Sequence, residues 1–498
     1  MVYNTLEFKY ACKEFLAGFG LNALRSYARE IGVSKPTKDK KKDVLIDAIV
    51  AVLVGEILPQ APSLLGAPVK NDFVDPKIPE GIKRLHMISA ANAVNDDGYG
   101  YKNAVQQIKE NPRVLSVADP NAEALKNKSV EELYRGQLET LNNVPMILPL
   151  NCTDSEKKVV ISVEKIRAYD LREGDLITCY AEKRNNILVA TTILTINDYV
   201  VDTFKRTDFD NGAVCYPKKK ITFYNDGKGS LSGKFLQWLF PVGRGQRGLI
   251  LAPPKTGKTK LLADIYTTAT MHNPDMYVFT LLVDQAPESV ANFRKMYGNE
   301  NLLYTTYEED AERQVFVAEF ILKRAKRLVE CGRDVLLLVD SLNSLSRAYN
   351  DTPASAGGKV LAGGLESKTL QYIKRYFGAA RCFENGGSLT ILGTLCTDTG
   401  NPADDLLKSE LTSIANQEIH LSDDLAKECL YPAFDLSKIR HKSDSSFITA
   451  EEEKFAKLIR TQYLSTFGWE GVLELFQGCD QLRGLGTKAI EKLKEYHQ

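Results

Sequence analysis

No stretch of this 498-residue chain approaches the roughly 18 to 20 apolar residues that span a bilayer. The most apolar N-terminal segment, Val44 to Leu58, is interrupted by Asp47 and Glu56, follows a lysine run and has no small-residue cleavage site. Neither a secretory leader nor a membrane partner is expected, and the reading is a cytoplasmic protein. A disulfide framework and a zinc site are missing too. The nine cysteines are scattered and odd in number, with no CxxC pair, which suits reduced thiols. Charge of one sign is also lacking: 64 Lys+Arg balance 64 Asp+Glu. That removes the simplest argument for a polyanion partner but does not exclude a basic groove offset by acidic surface elsewhere. Hydrophobic residues at 44% and charged residues at 26% exclude a wholly disordered or fibrous chain. The length predicts about three domains.

Residues 1–57 read as a small helical module. Leu21, Leu24, Tyr27 and Ala28 recur at helical spacing, and Ile31-Gly32-Val33 ends that helix. Lys35, Lys38, Lys40, Lys41 and Lys42 precede a second amphipathic helix. They form either a solvated loop or a phosphate-contacting edge. Residues 58–141 begin with Pro59, Pro62, Pro68, Pro76 and Pro79 and read as a linker with local helices such as Val130 to Leu141. Over 142–225 the runs Val159 to Val163, Asp175 to Tyr180 and Ile187 to Leu194 are rich in β-branched residues. They predict a small β-barrel, a common nucleic-acid platform. Over 226–498 strands alternate with helices. Gly248 to Leu251, Met276 to Val283, Asp334 to Val339 and Ser388 to Leu395 are runs that a doubly covered parallel sheet buries, and Ala311 to Glu330 is helical. This pattern predicts an α/β nucleotide-binding domain.

The most specific signal is Ala252-Pro253-Pro254-Lys255-Thr256-Gly257-Lys258-Thr259, which follows a strand and opens a helix at Lys260. Backbone N–H groups of such a loop surround phosphates, Lys258 neutralises β/γ charge, and the Thr259 hydroxyl binds Mg²⁺. Ala252 replaces the usual first glycine, so the context of strand and helix carries the assignment to a nucleotide. Asp340 ends the strand Val335 to Val339, where an acid holds the magnesium through water. The strand Leu281 to Val283 runs into Asp284-Gln285-Ala286, the place of a water-activating residue.

Beyond these motifs, Gly243-Arg244-Gly245-Gln246-Arg247-Gly248 running into the phosphate loop, Arg347-Ala348-Tyr349-Asn350, Gly358-Lys359-Val360-Leu361-Ala362-Gly363-Gly364 and Phe377-Gly378-Ala379-Ala380-Arg381 are long, specific strings. They resemble the transcription termination factor Rho family over about 155–445. The resemblance implies a multidomain chain: a helical module, an oligonucleotide-binding β-barrel and a RecA-like P-loop motor with a C-terminal helical extension. It further implies a homo-hexameric ring that binds RNA, threads it using ATP and releases transcripts from RNA polymerase. By position it makes Lys255 to Lys260 nucleotide-binding, Tyr431 the adenine-stacking ring, and Lys359, Gly363 and Gly364 part of an RNA-facing pore loop.

The departures from the family pattern are specific. Gln285 stands where the family has a catalytic Glu, and Lys442, two residues after Arg440, stands at the arginine finger. Asn401-Pro402-Ala403 occupies a pore-loop position that usually holds a lysine, and Val144 to Leu150 has no aromatic ring on which a base could stack. A glutamine orients a water but takes no proton, and loss of a general base costs ~10²–10⁴-fold. Two functions remain open. One is a working RNA translocase that ends transcription. The other is a nucleotide-binding paralogue with weak or absent hydrolysis and RNA capture, which acts as a structural or regulatory ring subunit and co-assembles with a second Rho. A rotary-ATPase subunit is a more distant third, disfavoured by the Arg347–Asn350 and Lys359–Gly364 strings.

Overall fold

In the computed structural model of the protein, the residues described are 12–31, 33, 42–53, 78, 132–152, 158–184, 187–201, 206–225, 227–297, 301–353, 357–384, 386–438, 440–441 and 447–496. Helices α1 (Leu21–Glu30) and α2 (Lys42–Leu53) belong to an N-terminal unit of their own. Leu24, Ala28, Leu45 and Ile49 are fully buried in its core. Lys42 opens α2 and donates to the Ala17 carbonyl at 2.6 Å. Lys35, Lys38, Lys40 and Lys41 lie outside the described residues, as does most of the linker.

The second unit opens with strands β1 (Glu132–Leu141), β2 (Val144–Leu148), β3 (Val159–Val160), β4 (Leu176–Arg184) and β5 (Ile187–Ile196), with helix α3 (Val163–Ala168) after β3. Antiparallel pairs join β3 to β2, β2 to β1, β1 to β4 and β4 to β5. A parallel pairing of β3 with β5 then closes the sheet on itself. Closure satisfies edges that a sheet this short would otherwise expose. Leu138, Ile147, Ile177 and Ile193 fill the interior. The predicted strand Val159 to Val163 is cut short, because Ser162 accepts the Lys165 N–H at 3.4 Å and turns the chain into α3.

The rest of this unit is one mainly parallel nine-stranded sheet. Its strands are β6 (Val214–Cys215), β7 (Arg247–Ala252), β8 (Met276–Gln285), β9 (Leu302–Thr306), β10 (Asp334–Asp340), β11 (Arg381–Phe383), β12 (Ser388–Cys396), β13 (Gln417–His420) and β14 (Arg440–His441). The order is β9-β8-β10-β12-β7-β13-β14, with β11 and β6 branching antiparallel from β12. Helices α4 (Leu231–Trp238), α5 (Lys258–His272), α6 (Pro287–Tyr297), α7 (Ala311–Glu330), α8 (Leu342–Asn350), α9 (Ser367–Phe377) and α10 (Pro402–Ile414) connect or cover it. Successive strand residues face opposite sides. Leu336 and Leu338 of β10 therefore join the core shared with α4 and α5, while Val335, Leu337 and Val339 join the core under α7 and α8. C-terminal helices α11 (Ala450–Leu458) and α12 (Leu464–Gln477) pack on α4, where the Phe235 and Phe476 rings stack with centroids 4.2 Å apart, and α13 (Leu482–Tyr496) packs on α11 and α12. Among the described residues no helix is long and apolar enough to cross a membrane.

Strand β1 corrects the helical reading of Val130 to Leu141 and the placing of those residues in a linker. Leu138 and Leu141 mimic a helical turn in spacing, and the polar neighbours Gln137 and Glu139 are both buried. Their partners lie on α7. The Gln137 amide donates to the Phe320 carbonyl at 2.8 Å. Arg324, only 1% exposed, donates through Nε to Gln137 Oε1 at 2.8 Å and through Nη2 to the Leu150 carbonyl at 2.7 Å. Lys323 reaches Glu139 at 2.7 Å and Glu173 at 2.8 Å. Burial raises the Glu139 carboxyl above its ordinary range, against the opposing pull of Lys323. The barrel is thus clamped to the sheet domain by polar groups that a one-faced strand would leave in water.

Candidate nucleotide-binding site

The parallel strands β8, β10, β12 and β7 end along one edge, the usual ligand side of such a sheet. After Ala252 the chain turns through Pro253 to Gly257 into α5. Lys255 (φ 64°) and Gly257 (φ 85°) take left-handed conformations that make the turn. Gly257 is also required sterically, since a Cβ there would sit 2.9 Å from Cε1 of Tyr431. Thr256 is buried and its hydroxyl donates to the Pro253 carbonyl at 2.8 Å, which braces the loop. The first N–H groups of α5 lack helical acceptors, and the helix dipole adds positive potential at the same end, so the loop suits an anion.

Lys258 points from the first turn of α5 to Asp340 Oδ1 at 2.8 Å. Thr394 of β12 donates to the same oxygen at 2.8 Å, and Asp340 is 1% exposed. The phosphate loop and the predicted metal acid are therefore joined. Both contacts fall on Oδ1. With the exposed Thr259 hydroxyl, this is a hard-oxygen donor set of the kind Mg²⁺ takes. Gln285 ends β8 at the same edge, but its amide donates back to the Val283 carbonyl at 3.2 Å. The preceding Asp284 (φ 60°) donates its N–H to Thr305 Oγ1 at 3.3 Å.

Beside the loop lies a pocket of about 310 Å³. Leu231, Leu261, Leu421 and Tyr431 make its apolar walls, and Ser230, Ser232 and Asp264 its polar part. The exposed Lys260 holds its ammonium 6.0 Å from the Tyr431 ring centroid. An apolar slot next to an anion-binding loop fits a flat base attached to phosphates. Sequence reasoning placed Tyr431 and Lys260 here but missed Leu231, Leu421 and Asp264, which come from segments far apart in the chain. The one local signal was Ser230, whose hydroxyl caps α4 by accepting the Gly233 N–H at 3.0 Å.

Lys359, Gly363 and Gly364 are not brought into this pocket. They lie in the loop after α8, a helix about 13 Å long that starts beside Asp340. The loop is tied by the Gly358 N–H to Glu366 Oε2 at 3.0 Å, the Lys359 N–H to Ser367 Oγ at 3.2 Å and the Glu366 N–H to Asn350 Oδ1 at 2.9 Å. The Lys359 side chain stays exposed. A Cβ on Gly363 would lie 2.3 Å from the backbone nitrogen of Ala403 at the start of α10, so the two predicted pore segments abut. Asn343 of α8 donates to Asp404 of α10 at 2.7 Å and accepts the Cys396 N–H at 2.7 Å. Lys442 lies outside the described residues, and of Arg440 only the backbone, in β14, is described.

The nucleotide-binding domain of the ATP synthase alpha/beta family matches residues 233–439. The geometry and this match together establish a RecA-like P-loop nucleotide-binding domain. The chain is 37% identical to the transcription termination factor Rho of Karelsulcia muelleri over 305 residues, covering 60% of this chain and 80% of that protein. It is 34% identical to the Rho of Borreliella burgdorferi over 363 residues, 71% of this chain and 69% of that one. Among solved structures, a prototypical ATPase from the type III secretion system of pathogenic bacteria aligns with a TM-score of 0.46 and 19% identity, covering 62% of this chain and 94% of that one.

Proposed function

The chain belongs to the transcription termination factor Rho family, and from that premise we propose that it is an ATP-driven, RNA-binding ring translocase acting in transcription termination. The observation that carries this reading is the Lys258–Asp340 pair at the mouth of the phosphate loop, beside a base-sized pocket. In a nucleotide complex Lys258 exchanges its carboxylate partner for the β/γ-phosphates, and Tyr431 stacks on the base. Thr259 and Asp340 are the residues that would hold Mg²⁺, which when bound would neutralise charge on the transferring phosphoryl group. The closed barrel of β1 to β5 is the oligonucleotide platform, its grip weakened because β2 offers no ring for stacking, worth about 1–3 kcal/mol per base. Lys359 and the Gly363-Gly364 turn face RNA in the ring's pore, and RNA polymerase is the partner in the cytoplasm.

A second reading, a nucleotide-binding ring subunit with little turnover that co-assembles with another Rho, draws on the folded-back Gln285 amide. Steady-state ATP hydrolysis with and without cytidine-rich RNA separates the two. RNA-stimulated turnover of about 1 s⁻¹ or more, abolished by Lys258→Ala, supports the motor. Turnover equal to the Lys258→Ala background, despite measurable ATP binding, refutes it in favour of the silent subunit.

A further inference from the structure

Six residues beyond Lys258 on α5, about 9 Å along the helix axis, Asp264 lines the pocket beside the phosphate loop. One carboxylate oxygen, Oδ2, is fixed by the buried Ser232 hydroxyl, which donates at 2.6 Å from α4. Asp264 thus presents its other oxygen in a held orientation, as an acceptor in the polar part of the pocket. Ser230 lines the same pocket. Its oxygen accepts the Gly233 N–H, and its own hydroxyl hydrogen remains to donate.

We infer that Asp264, positioned by Ser232, selects the base of the bound nucleotide by accepting a hydrogen bond from the exocyclic amine of adenine, with Ser230 donating to the neighbouring ring nitrogen. This rests on the nucleotide reading of the pocket. Adenine offers a donor at position 6 beside a ring acceptor. Hypoxanthine and guanine offer a carbonyl there beside a ring N–H, so an oxygen would meet the carboxylate and Ser230 would face a donor. A site built to bond a polar group discriminates strongly against an analogue that leaves it unpaired. A hydrogen bond to a charged group sets the scale at about 10- to 100-fold in affinity.

The test is equilibrium competition of ATP and ITP against a fluorescent ADP analogue on the full chain with Mg²⁺, which needs no hydrolysis. Wild type is expected to bind ATP at least about 10-fold tighter than ITP. Asp264→Ala should bring the two within about threefold, chiefly by weakening ATP. Asp264→Asn keeps the volume and adds an amide N–H, so it should gain affinity for ITP while losing ATP. Tyr431→Ala should weaken both nucleotides alike. Equal binding of ATP and ITP by wild type, or an unchanged ratio in both Asp264 variants, overturns the base-selection role and leaves the nucleotide site standing. Failure of wild type to displace the probe with either nucleotide overturns both.

Discussion

Replacing Gln285 with glutamate tests whether chemistry at the end of β8 limits this protein. The Gln285 amide donates to the Val283 carbonyl at 3.2 Å, a neutral hydrogen bond whose net worth is about 1 kcal/mol. At that value the folded-back rotamer outweighs the free one by about five to one. A glutamate has no N–H to give the carbonyl, so this rotamer loses its anchor and the carboxylate turns outward. The same change supplies the proton acceptor that glutamine lacks, typically worth ~10²–10⁴-fold. Gln285→Glu is therefore expected to raise RNA-stimulated phosphate release at saturating ATP by at least ~10²-fold, with nucleotide affinity unchanged within about twofold. Gln285→Ala should stay within about fivefold of wild type, since the folded-back amide contributes little. An unchanged rate in Gln285→Glu with intact ATP affinity would refute the reasoning, and Lys442→Arg then becomes the variant to measure. A ~10²-fold fall in Gln285→Ala would equally refute it, because the amide would then be positioning the attacking water.

Other outcomes follow from single contacts. Gly257→Ala places a methyl 2.9 Å from the Tyr431 ring and costs about 1–2 kcal/mol in a left-handed conformation, so ATP affinity should fall at least ~10-fold in a competition titration. Wild-type affinity in that variant would show the loop to be free to relax. Arg324→Met leaves Gln137 Oε1 and the Leu150 carbonyl without their donor, a loss of about 2–4 kcal/mol. A urea midpoint equal to that of wild type would mean that the barrel is held by other contacts. His420, on β13, has its pKa lowered from 6.5, first by burial, with Glu418 and Asp435 pulling the other way. Below 6.5 the unfolded chain takes up this proton before the folded one does, so stability should drop as pH falls from 6.5 through the folded value. Above 6.5 the contribution is complete. His420→Gln should flatten that slope in denaturation curves across pH 5–8, and an unaltered slope would assign it to other groups.

The parts of the fold that were legible in the sequence are those encoded locally. The loop from Pro253 to Thr259 carries its own turn residues, and the strand ending in Asp340 is apolar because both faces are covered. Strand β1 was misread for the opposite reason. Gln137 and Glu139 are polar residues buried by partners on α7, more than 180 positions away, and no local pattern announces them. The base pocket was half legible, through Tyr431. Its remaining walls are assembled by the topology of the sheet, which brings α4, α5 and the segment after β13 to one place. The orientation of Gln285 was not legible at all, since a side chain that bonds its own strand leaves no trace in sequence spacing.

The abutment of Gly363 on Ala403 restricts how these two segments can be altered. A side chain at position 363 has no room unless the start of α10 moves, and α10 is tied through Asp404 and Asn343 to the helix that follows Asp340. The two loops share one allowance for change. A loop transplanted from a relative into residues 358–364 would fit only with its matching partner around residues 400–404, so the pair is the smallest unit that could be exchanged here.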